Sequence, residues 1–367
     1  MTLPTLLELT PEQEAVVILP FDGRYLVTGP AGSGKSVTAA YRAWALATAG
    51  RRTVLVTRSN LLTRRTAHIA QRIADGVRVI TFHRWLRDFW NDNFACDPPC
   101  DGDDEWDYDW DAMLGECLNS PPARRDALVV DEGQQLPQGF YRLSRLVTDR
   151  ITVFADEYMG IDGAGTALET IGSTLKAVDG MHTLTTNLRS TREVAELADT
   201  FCVGPATIPQ SPPRRTGEQP VLLHCSRADG FLNQLSQFIA AHRDYSVGIV
   251  CRSTRLVRDI HRQLAERGHD DCVDSYISGD IHRSAVDFSS HRVHVIHAAS
   301  MKGMEFDALF VPDLDAYAED PTGAIARRRF YVLCTRARQV LYLVHHGRRV
   351  PDIVADVPGH LLERRSV

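Results

Sequence analysis

The sequence predicts an α/β protein of two domains, each built on a parallel β-sheet with crossover helices. Short runs of β-branched residues alternate with longer helical patterns over most of the chain, which is typical of parallel sheets. The length of 367 residues suits two domains of ordinary size. A hydrophobic content of 44% and a charged content of 24% are those of a globular protein. We therefore expect two separate hydrophobic cores.

Predicted strands occur in both halves of the chain. They span residues 25–28, 54–57, 77–81, 127–130 and 151–155 in the first half, and residues 221–225, 247–251, 293–296, 308–311 and 340–344 in the second. We place the boundary between the halves at 178–182. This gives one domain at residues 1–180, with a short insertion near residues 84–125, and a second domain at residues 181–367.

Charge and hydropathy limit the classes of function. No apolar run approaches the roughly 20 residues of a membrane helix, so we expect no membrane partner and a cytoplasmic location. The net charge of −6 gives no global attraction to nucleic acid. Any such binding must therefore use a local basic surface.

The clearest motif is Gly-Pro-Ala-Gly-Ser-Gly-Lys-Ser at residues 29–36. It lies between the predicted strand 25–28 and a helical pattern at 37–49, which is the context that a phosphate-binding loop requires. Its backbone N–H groups and the helix N-terminus can wrap a β-phosphate. Lys35 is predicted to bridge the β- and γ-phosphates, and Ser36 to ligate Mg²⁺. The predicted nucleotide-binding residues are Gly29, Pro30, Ala31, Gly32, Ser33, Gly34, Lys35 and Ser36.

An acidic pair, Asp131 and Glu132, follows the apolar strand 127–130. A phosphate-binding loop needs an acidic partner for the metal at the end of a neighbouring strand. Asp131 is predicted to hold Mg²⁺. Glu132 is predicted to orient and deprotonate the attacking water.

Together with these two motifs, further segments resemble the superfamily 1 helicases of the UvrD/Rep type, in the order of that family from about residue 10 to residue 345. Besides the phosphate loop, the matching segments are 9–13, 54–60, 79–85, 131–134, 154–156, 187–190, 301–307 and 331–338. Segment 131–134 contains the acidic pair. The resemblance implies two RecA-like P-loop NTPase domains with an ATP site at their interface. It also implies that ATP hydrolysis drives movement on a nucleic-acid strand.

The resemblance assigns roles to individual residues. Gln13 would contact the adenine edge and Glu305 the ribose. Arg189 and Arg336 would contact the γ-phosphate and stabilise the charge that develops there. The residues that would touch the nucleic acid are Asn60, His83, Trp85 and Lys302, with Trp85 in a stacking platform.

The chain also departs from the family pattern. Met159 replaces the glutamine that ends the third motif, and Leu188 replaces the aromatic residue that stacks on adenine. Gln135 stands where an aspartate often follows the Asp-Glu-x-Gln box. The large accessory insertions are essentially absent. These departures concern the coupling of hydrolysis to nucleic-acid binding, and the contact with the nucleic acid itself, more than the hydrolytic chemistry.

An acidic segment, residues 97–111, replaces the first accessory insertion. It contains seven Asp and one Glu together with Trp106, Tyr108 and Trp110. Its charge would repel a phosphate backbone. Three interpretations remain open: a solvated loop with a few packed aromatic residues, a docking surface for a basic partner protein, and a mask over the nucleic-acid-binding groove.

The sequence thus predicts an ATPase that uses ATP and Mg²⁺ and moves on single-stranded DNA. One alternative is a nucleotide-gated interaction module, an NTPase subunit of a larger complex that does not unwind duplex. A second alternative is an RNA motor, because the expected contacts are to the backbone and to stacked bases.

Overall fold

A computed structural model describes most of the chain. The described residues are 4–58, 63, 66, 67, 70, 73, 77–101, 107–122, 126–156, 165–177, 180–203, 211–276, 291–301 and 304–367. The chain divides into two compact units. The first is Met1–Asn187 with Ile208–Ser211, and the second is Leu188–Thr207 with Pro212–Val367.

The first unit contains a six-stranded sheet. Its strands are β1 Gly23–Thr28, β2 Thr53–Thr57, β3 Arg78–Thr81, β4 Ala127–Val130, β5 Arg150–Ala155 and β6 Met181–Thr183. They pair in parallel in the order β3-β2-β4-β5-β1-β6. The C-terminal ends of β1 and β4 therefore lie at the same edge of the sheet, and the loops that follow them meet there.

The helices described in the first unit are α1 Pro11–Val17, α2 Lys35–Thr48, α3 Phe82–Phe94, α4 Trp110–Asn119, α5 Gln138–Val147 and α6 Leu168–Leu175. Side-chain oxygens of Thr10, Thr81 and Asp109 accept backbone N–H groups at the starts of α1, α3 and α4. These bonds satisfy donors that have no partner within the helix.

The sheet of the first unit is buried on both faces, as expected for a parallel sheet. Leu128 and Val130 of β4 belong to one hydrophobic cluster, and Ala127 and Val129 belong to a cluster on the other face. This alternation follows from the period of two in a strand. It explains why β4 is apolar at every position.

The second unit contains a seven-stranded sheet. Its strands are β7 Val221–His224, β8 Val247–Cys251, β9 Val273–Tyr276, β10 Val293–His297, β11 Phe306–Val311, β12 Ala337–His345 and β13 Glu363–Ser366. The order is β13-β7-β12-β11-β8-β10-β9, again with parallel pairing. Its described helices are α7 Arg192–Asp199, α8 Ala228–Ala241, α9 Thr254–Leu264, α10 Ala324–Cys334 and α11 Asp352–Ala355.

The division between the units lies beyond the predicted domain boundary at residue 180. Leu26 and Thr28 of β1 pair with Met181 and Thr183 of β6. The chain therefore adds one more strand to the first sheet before it enters the second unit. Two of the three residues of β6 are exposed, so the sequence carries no apolar run there to mark this strand.

None of the helices in the described part of the chain is long and apolar enough to cross a membrane.

Candidate nucleotide site

The loop between β1 and α2 has the backbone of a phosphate-binding loop. Gly32 and Gly34 have φ angles of 89° and 84°, a region that disfavours other residues. A Cβ atom on Gly29 would lie 2.6 Å from the carbonyl oxygen of Leu184 and 2.7 Å from Oγ of Ser33. Glycine is therefore required at Gly29 by close packing and at the other two positions by conformation.

The ammonium group of Lys35 lies inside this loop. Its Nζ donates to the carbonyl oxygens of Gly29 and Pro30, at 2.6 and 2.9 Å. It also pairs with Oδ2 of Asp156 at 3.3 Å. The positive charge is thus held next to the backbone that the sequence assigns to phosphate binding.

The loop suits an anionic ligand in two further ways. The first turn of α2, which begins at Lys35 and includes Ser36, presents N–H groups that have no carbonyl partner within the helix. The hydroxyl oxygen of Ser33 is buried and has no hydrogen-bond partner among the described residues. These features, with the Lys35 ammonium, fit the phosphates of a nucleotide.

Asp131 directly follows β4 and is almost fully buried. Its backbone N–H donates to the carbonyl oxygen of Val56 in the neighbouring strand, at 2.9 Å. Oδ1 accepts the N–H of Glu132 at 3.1 Å, and Oδ2 accepts the hydroxyl of Thr66 at 3.4 Å. The carboxylate is therefore held at the same edge of the sheet as the phosphate loop. A carboxylate and the Ser36 hydroxyl are oxygen ligands of the kind that Mg²⁺ prefers.

Glu132 is fixed by two neighbouring amides. Nε2 of Gln134 donates to Oε2 of Glu132 at 2.7 Å, and Nε2 of Gln135 donates to the same oxygen at 3.1 Å. Glu132 itself has a left-handed backbone conformation, with φ of 57°, which a non-glycine residue adopts at a cost. The tight turn after β4 thus presents this carboxylate in a set orientation.

Hydrogen bonds connect Glu132 to the phosphate loop. Oε1 of Gln134 accepts the backbone N–H of Asp156 at 3.0 Å, and the Asp156 carboxylate pairs with Lys35. The path therefore runs from Lys35 through Asp156 and Gln134 to Glu132. We name these four residues the lysine–glutamate network.

The sequence did not predict this network as a unit. In the sequence, Asp156 belongs to a separate motif, and Gln135 departs from the family pattern. A local signal was present, because Gln134 and Gln135 follow Glu132 closely enough for side-chain contact. The link between Gln134 and Asp156 depends on the pairing of β4 with β5, which the sequence alone does not specify.

Gln13 contacts the phosphate loop. Its Nε2 donates to the carbonyl oxygen of Ser33 at 3.1 Å, and its Oε1 accepts the N–H of Thr10 at 3.0 Å. Both ends of the buried amide thus bind protein groups. The structure gives Gln13 a direct role in supporting the loop, and its contact with adenine stays a prediction.

The predicted nucleotide contacts of the second unit form hydrogen bonds and ion pairs within that unit. Nη2 of Arg189 lies 2.6 Å from Oε1 of Glu305. Arg336 donates from Nε to the carbonyl oxygen of Val332 at 3.0 Å and from Nη1 to that of Met304 at 3.4 Å. The contacts of Arg189 and Arg336 with a γ-phosphate stay predictions.

Asp307 lies close to Glu305 and is ionised more readily than an ordinary aspartate. Burial opposes its ionisation, but the N–H and hydroxyl of Ser246 and the guanidinium of Arg338 outweigh that effect. Together they hold the pKa of Asp307 below its usual value. A stable negative charge is therefore built into this part of the second unit.

Trp85 lies in the hydrophobic core and not on the surface. Its side chain is only 3% exposed and stacks on Phe89, with ring centroids 5.4 Å apart. The ring also makes an edge contact with Phe140. The predicted stacking platform for nucleic acid is therefore wrong at Trp85, because α3 turns this residue into the core. A signal existed, since Phe82, Trp85, Leu86, Phe89 and Trp90 recur at helical spacing.

His83 is half-buried and contacts the acidic segment. Its Nδ1 and the hydroxyl of Tyr108 are 3.1 Å apart and hydrogen-bonded, and the two rings have centroids 5.6 Å apart. Tyr108 itself is buried and contacts Trp110. The other predicted nucleic-acid contacts, Asn60 and Lys302, lie outside the described residues, as does Met159.

Part of the acidic segment is therefore packed against the first unit. Residues 97–101 and 107–111 are described, and Cys100 forms a β-bridge with Tyr108. Asp111 pairs with Arg142 of α5 at 2.9 Å. The buried ring of Tyr108 agrees with the interpretation as a solvated loop with a few packed aromatic residues.

Comparison with known proteins supports the fold. Residues 12–157 match the family model of the AAA domain, a stretch that contains the phosphate loop and the acidic pair. No curated protein matches the sequence. Among solved structures, a Dbp5 variant from S. cerevisiae bound to RNA and ADP–beryllium fluoride is 13% identical, with a TM-score of 0.53 over 99% of this chain and 94% of its own.

A second S. cerevisiae Dbp5 structure, with the same ligands, is 12% identical, with a TM-score of 0.51 over 99% of this chain and 90% of its own. The C-terminal domain of a possible DNA helicase from Lactobacillus plantarum is 20% identical, with a TM-score of 0.37 over 48% of this chain and 98% of its own. The predicted fold class of two RecA-like domains with parallel sheets is confirmed. The chain has a helicase-like P-loop NTPase fold.

Proposed function

We propose that the protein is an ATP-hydrolysing motor of the helicase or translocase type that acts on single-stranded DNA. The lysine–glutamate network carries this proposal. Lys35, which binds phosphate, and the candidate base Glu132 are connected through two intermediate residues, Asp156 and Gln134. The arrangement therefore suits catalysis as well as nucleotide binding.

The first unit supplies the groups that bind and activate the nucleotide. The backbone of residues 29–36 and the ammonium of Lys35 bind the phosphates, and Gln13 contacts the adenine edge. Ser36 and Asp131 would hold Mg²⁺. When bound, that ion neutralises charge on the β- and γ-phosphate oxygens.

Glu132 acts as the base. Two amides hold its Oε2, and we assign Oε1 to the attacking water. The water oxygen forms a bond to the γ-phosphorus while the bond from that phosphorus to the β–γ bridging oxygen breaks. The water proton passes to Glu132, and the products are ADP and inorganic phosphate. Arg189 and Arg336 stabilise the charge on the transferred group.

The nucleic-acid contact is assigned to the segments that hold Asn60, His83 and Lys302. Trp85 is left out, because its indole packs in the core. Nucleic-acid binding here depends on charge and backbone contacts and on aromatic residues other than Trp85.

An ATPase titration with single-stranded DNA, RNA and duplex DNA tests the proposal. We expect single-stranded DNA to raise the rate of phosphate release in the wild type. Lys35→Ala and Glu132→Gln should each lower kcat by about 10²–10³-fold, as removal of a preorganised catalytic group does. A wild-type rate that no nucleic acid changes would leave an NTPase without motor function.

The contact between Tyr108 and His83 favours a second candidate, a nucleotide-gated interaction module. In this candidate the acidic segment, residues 97–111, binds a basic partner protein, and nucleotide binding controls that contact. Deletion of residues 97–111 should then abolish binding of the partner while ATP hydrolysis persists. Equal co-purification of the partner with both forms would contradict this candidate.

An RNA motor is the third candidate. The two Dbp5 structures similar to this chain were solved with RNA, although their low identity supports only the fold. The same titration separates the candidates, because an RNA motor responds more strongly to RNA than to single-stranded DNA of the same length.

A further inference from the structure

Glu12 binds a residue that lies 173 positions further along the chain. Its Oε2 accepts the backbone N–H of Thr185 at 2.7 Å, and its Oε1 accepts the hydroxyl of the same residue at 2.6 Å. Each oxygen of the carboxylate therefore has a donor on Thr185. Hydrogen bonds to a carboxylate are stronger than those between neutral groups. This contact thus joins the first turn of α1 firmly to the segment that follows β6.

Thr185 belongs to the segment through which the chain leaves the first unit. We name residues 184–187 the exit segment, because the second unit begins at Leu188. Ser211, after which the chain passes to the second unit again, donates its N–H to the carbonyl oxygen of Thr185 at 3.1 Å. Two connections to the second unit, after Asn187 and after Ser211, therefore lie next to Thr185 in the chain or in space.

The exit segment also packs against the start of the phosphate loop. Leu184 is buried, and its N–H donates to the carbonyl oxygen of Thr28 at 2.8 Å. The carbonyl oxygen of Leu184 is so close to Gly29 that a Cβ atom there would lie 2.6 Å from it. Leu184 also shares a hydrophobic cluster with Val16 of α1 and Val27 of β1. The exit segment is thus held by the strand before the phosphate loop, by the loop itself and by α1.

The first turn of α1 contacts both the phosphate loop and the exit segment. Gln13 donates to the carbonyl oxygen of Ser33 in the loop, and its neighbour Glu12 holds Thr185. A displacement of the loop or of this turn would therefore reach Thr185 through direct contacts.

We infer that Glu12 is a positioning residue that couples nucleotide binding in the first unit to the position of Arg189. Arg189 follows Thr185 by four residues, and an extended chain of that length spans at most about 14 Å. A fixed Thr185 therefore restricts the position of Arg189. The inference rests on the proposed function, because it requires Arg189 to act on the γ-phosphate.

The variant Glu12→Ala tests this inference, because it removes both acceptors of Thr185. We expect kcat for ATP to fall about tenfold to a hundredfold, the scale of a hydrogen bond to a charged group. The affinity for ADP should be unchanged, because Gln13 and the phosphate loop keep their contacts. Equilibrium titration should show about a tenfold loss of preference for a non-hydrolysable triphosphate over ADP.

Replacements of Thr185 test the contact from its other side. Thr185→Val removes the hydroxyl donor and keeps the N–H, so kcat should fall less than in Glu12→Ala. Thr185→Ser keeps both donors and should retain the wild-type kcat. The double variant Glu12→Ala with Thr185→Val should be no slower than Glu12→Ala alone, because the hydroxyl then has no carboxylate to bind.

Glu8→Ala is the matched control. Glu8 accepts the N–H and the hydroxyl of Thr5 at 2.7 and 2.9 Å, which is the same kind of contact in the same unit. Thr5 is not part of the exit segment, so kcat and the triphosphate preference should stay at wild-type values. Every variant is measured below its own unfolding transition. A fall in Glu8→Ala equal to that in Glu12→Ala would overturn the inference, because loss of any such contact would then slow hydrolysis.

Three other outcomes would also overturn it. One is a Glu12→Ala variant that keeps its kcat and its triphosphate preference, since the contact would then serve the fold alone. The second is a Glu12→Ala variant whose affinity for ADP falls as much as its affinity for the triphosphate. The third is a wild type that binds both nucleotides equally. A wild-type rate of hydrolysis that no nucleic acid changes would refute the motor function instead, and the triphosphate preference would still decide the role of Glu12.

Discussion

The phosphate loop and the start of α3 are two regions of the first unit, and their motifs differ in what they allow a sequence to predict. Residues 29–36 have the backbone angles, close packing and lysine placement that the motif implies. At the start of α3, by contrast, Trp85 is in the core and His83 contacts Tyr108. The phosphate-loop motif thus predicts its own backbone geometry correctly. The motif at the start of α3 does not predict which of its side chains are exposed.

The difference has a physical origin. A phosphate loop acts through its own backbone, and glycine positions together with the adjacent strand and helix nearly determine that backbone. A nucleic-acid contact needs a side chain on the surface. Which face of a helix is exposed depends on what packs against the helix, here Phe140 of α5 and the acidic segment.

Replacement of Trp85 gives the largest expected effect. Trp85→Ala removes a buried ring and should lower the free energy of unfolding by about 3–5 kcal/mol. Chemical denaturation of this variant beside the wild type measures the change. Below its unfolding transition, the variant should bind single-stranded DNA with wild-type affinity.

Trp85→Phe is the matched control. The indole N–H of Trp85 is buried without a hydrogen-bond partner among the described residues. Its removal therefore breaks no hydrogen bond. We expect a cost below about 1.5 kcal/mol, as for other swaps that keep an apolar core. If Trp85→Ala were as stable as the wild type but bound DNA poorly, Trp85 would be a stacking surface after all and the contrast between the two regions would fail.

The strands of the two sheets also show that a sequence predicts buried strands better than strands whose pairing depends on distant residues. Each of the ten predicted strands overlaps a strand of the structure, because buried strands of a parallel sheet are continuous apolar runs. The three strands without a prediction, β6, β9 and β13, all lie at sheet edges. Edge strands contact one neighbour only, so residues such as Arg364 and Arg365 of β13 stay exposed. Their pairing is decided by the sheet and not by their own composition.

Replacement of Gln134 tests the phosphate region. Gln134→Ala removes the amide that donates to the carboxylate of Glu132 and accepts the backbone N–H of Asp156. A hydrogen bond to a charged group contributes about 1.5–3 kcal/mol, so kcat for ATP should fall roughly tenfold to a hundredfold. The affinity for ADP should be unchanged, since the phosphate loop is intact. Steady-state kinetics and ADP titration measure the two effects.

Gln219→Ala serves as the control for Gln134→Ala. Its Nε2 donates to the carbonyl oxygen of Gly359 on an exposed part of the second unit, so kcat should stay at the wild-type value. If Gln134→Ala hydrolysed ATP at the wild-type rate, the lysine–glutamate network would be a feature of the fold alone. The phosphate loop and the acidic pair alone would then support a catalytic role.

The sequence could predict those residues of the candidate site that are recognised from a single segment. Each of Lys35, Asp131 and Glu132 lies shortly after a predicted strand, within a short motif. The connections among them were not predictable, because the path through Gln134 and Asp156 joins segments that are distant in sequence. The pairing of Arg189 with Glu305 was missed for the same reason. In both cases the sequence identified the groups, and the tertiary fold determined their partners.

Replacement of Tyr108 gives the smallest expected effect and tests the region at the start of α3. Tyr108→Phe keeps the buried ring and removes the hydrogen bond to His83, which contributes about 0.5–1.5 kcal/mol. If the acidic segment covers a nucleic-acid contact, release of His83 should raise the affinity for single-stranded DNA several-fold. Binding measured by fluorescence anisotropy at fixed ionic strength detects this change, because such affinities depend strongly on salt.

A matched control separates this effect from a general loss of packing. Tyr245→Phe removes a hydroxyl that donates to Gln339 in the second unit, so its affinity for DNA should equal that of the wild type. An unchanged affinity in Tyr108→Phe would show that the contact between Tyr108 and His83 only stabilises the first unit. A lower affinity would assign the tyrosine hydroxyl to nucleic-acid binding, and the region at the start of α3 would then bind nucleic acid with the acidic segment as part of the surface.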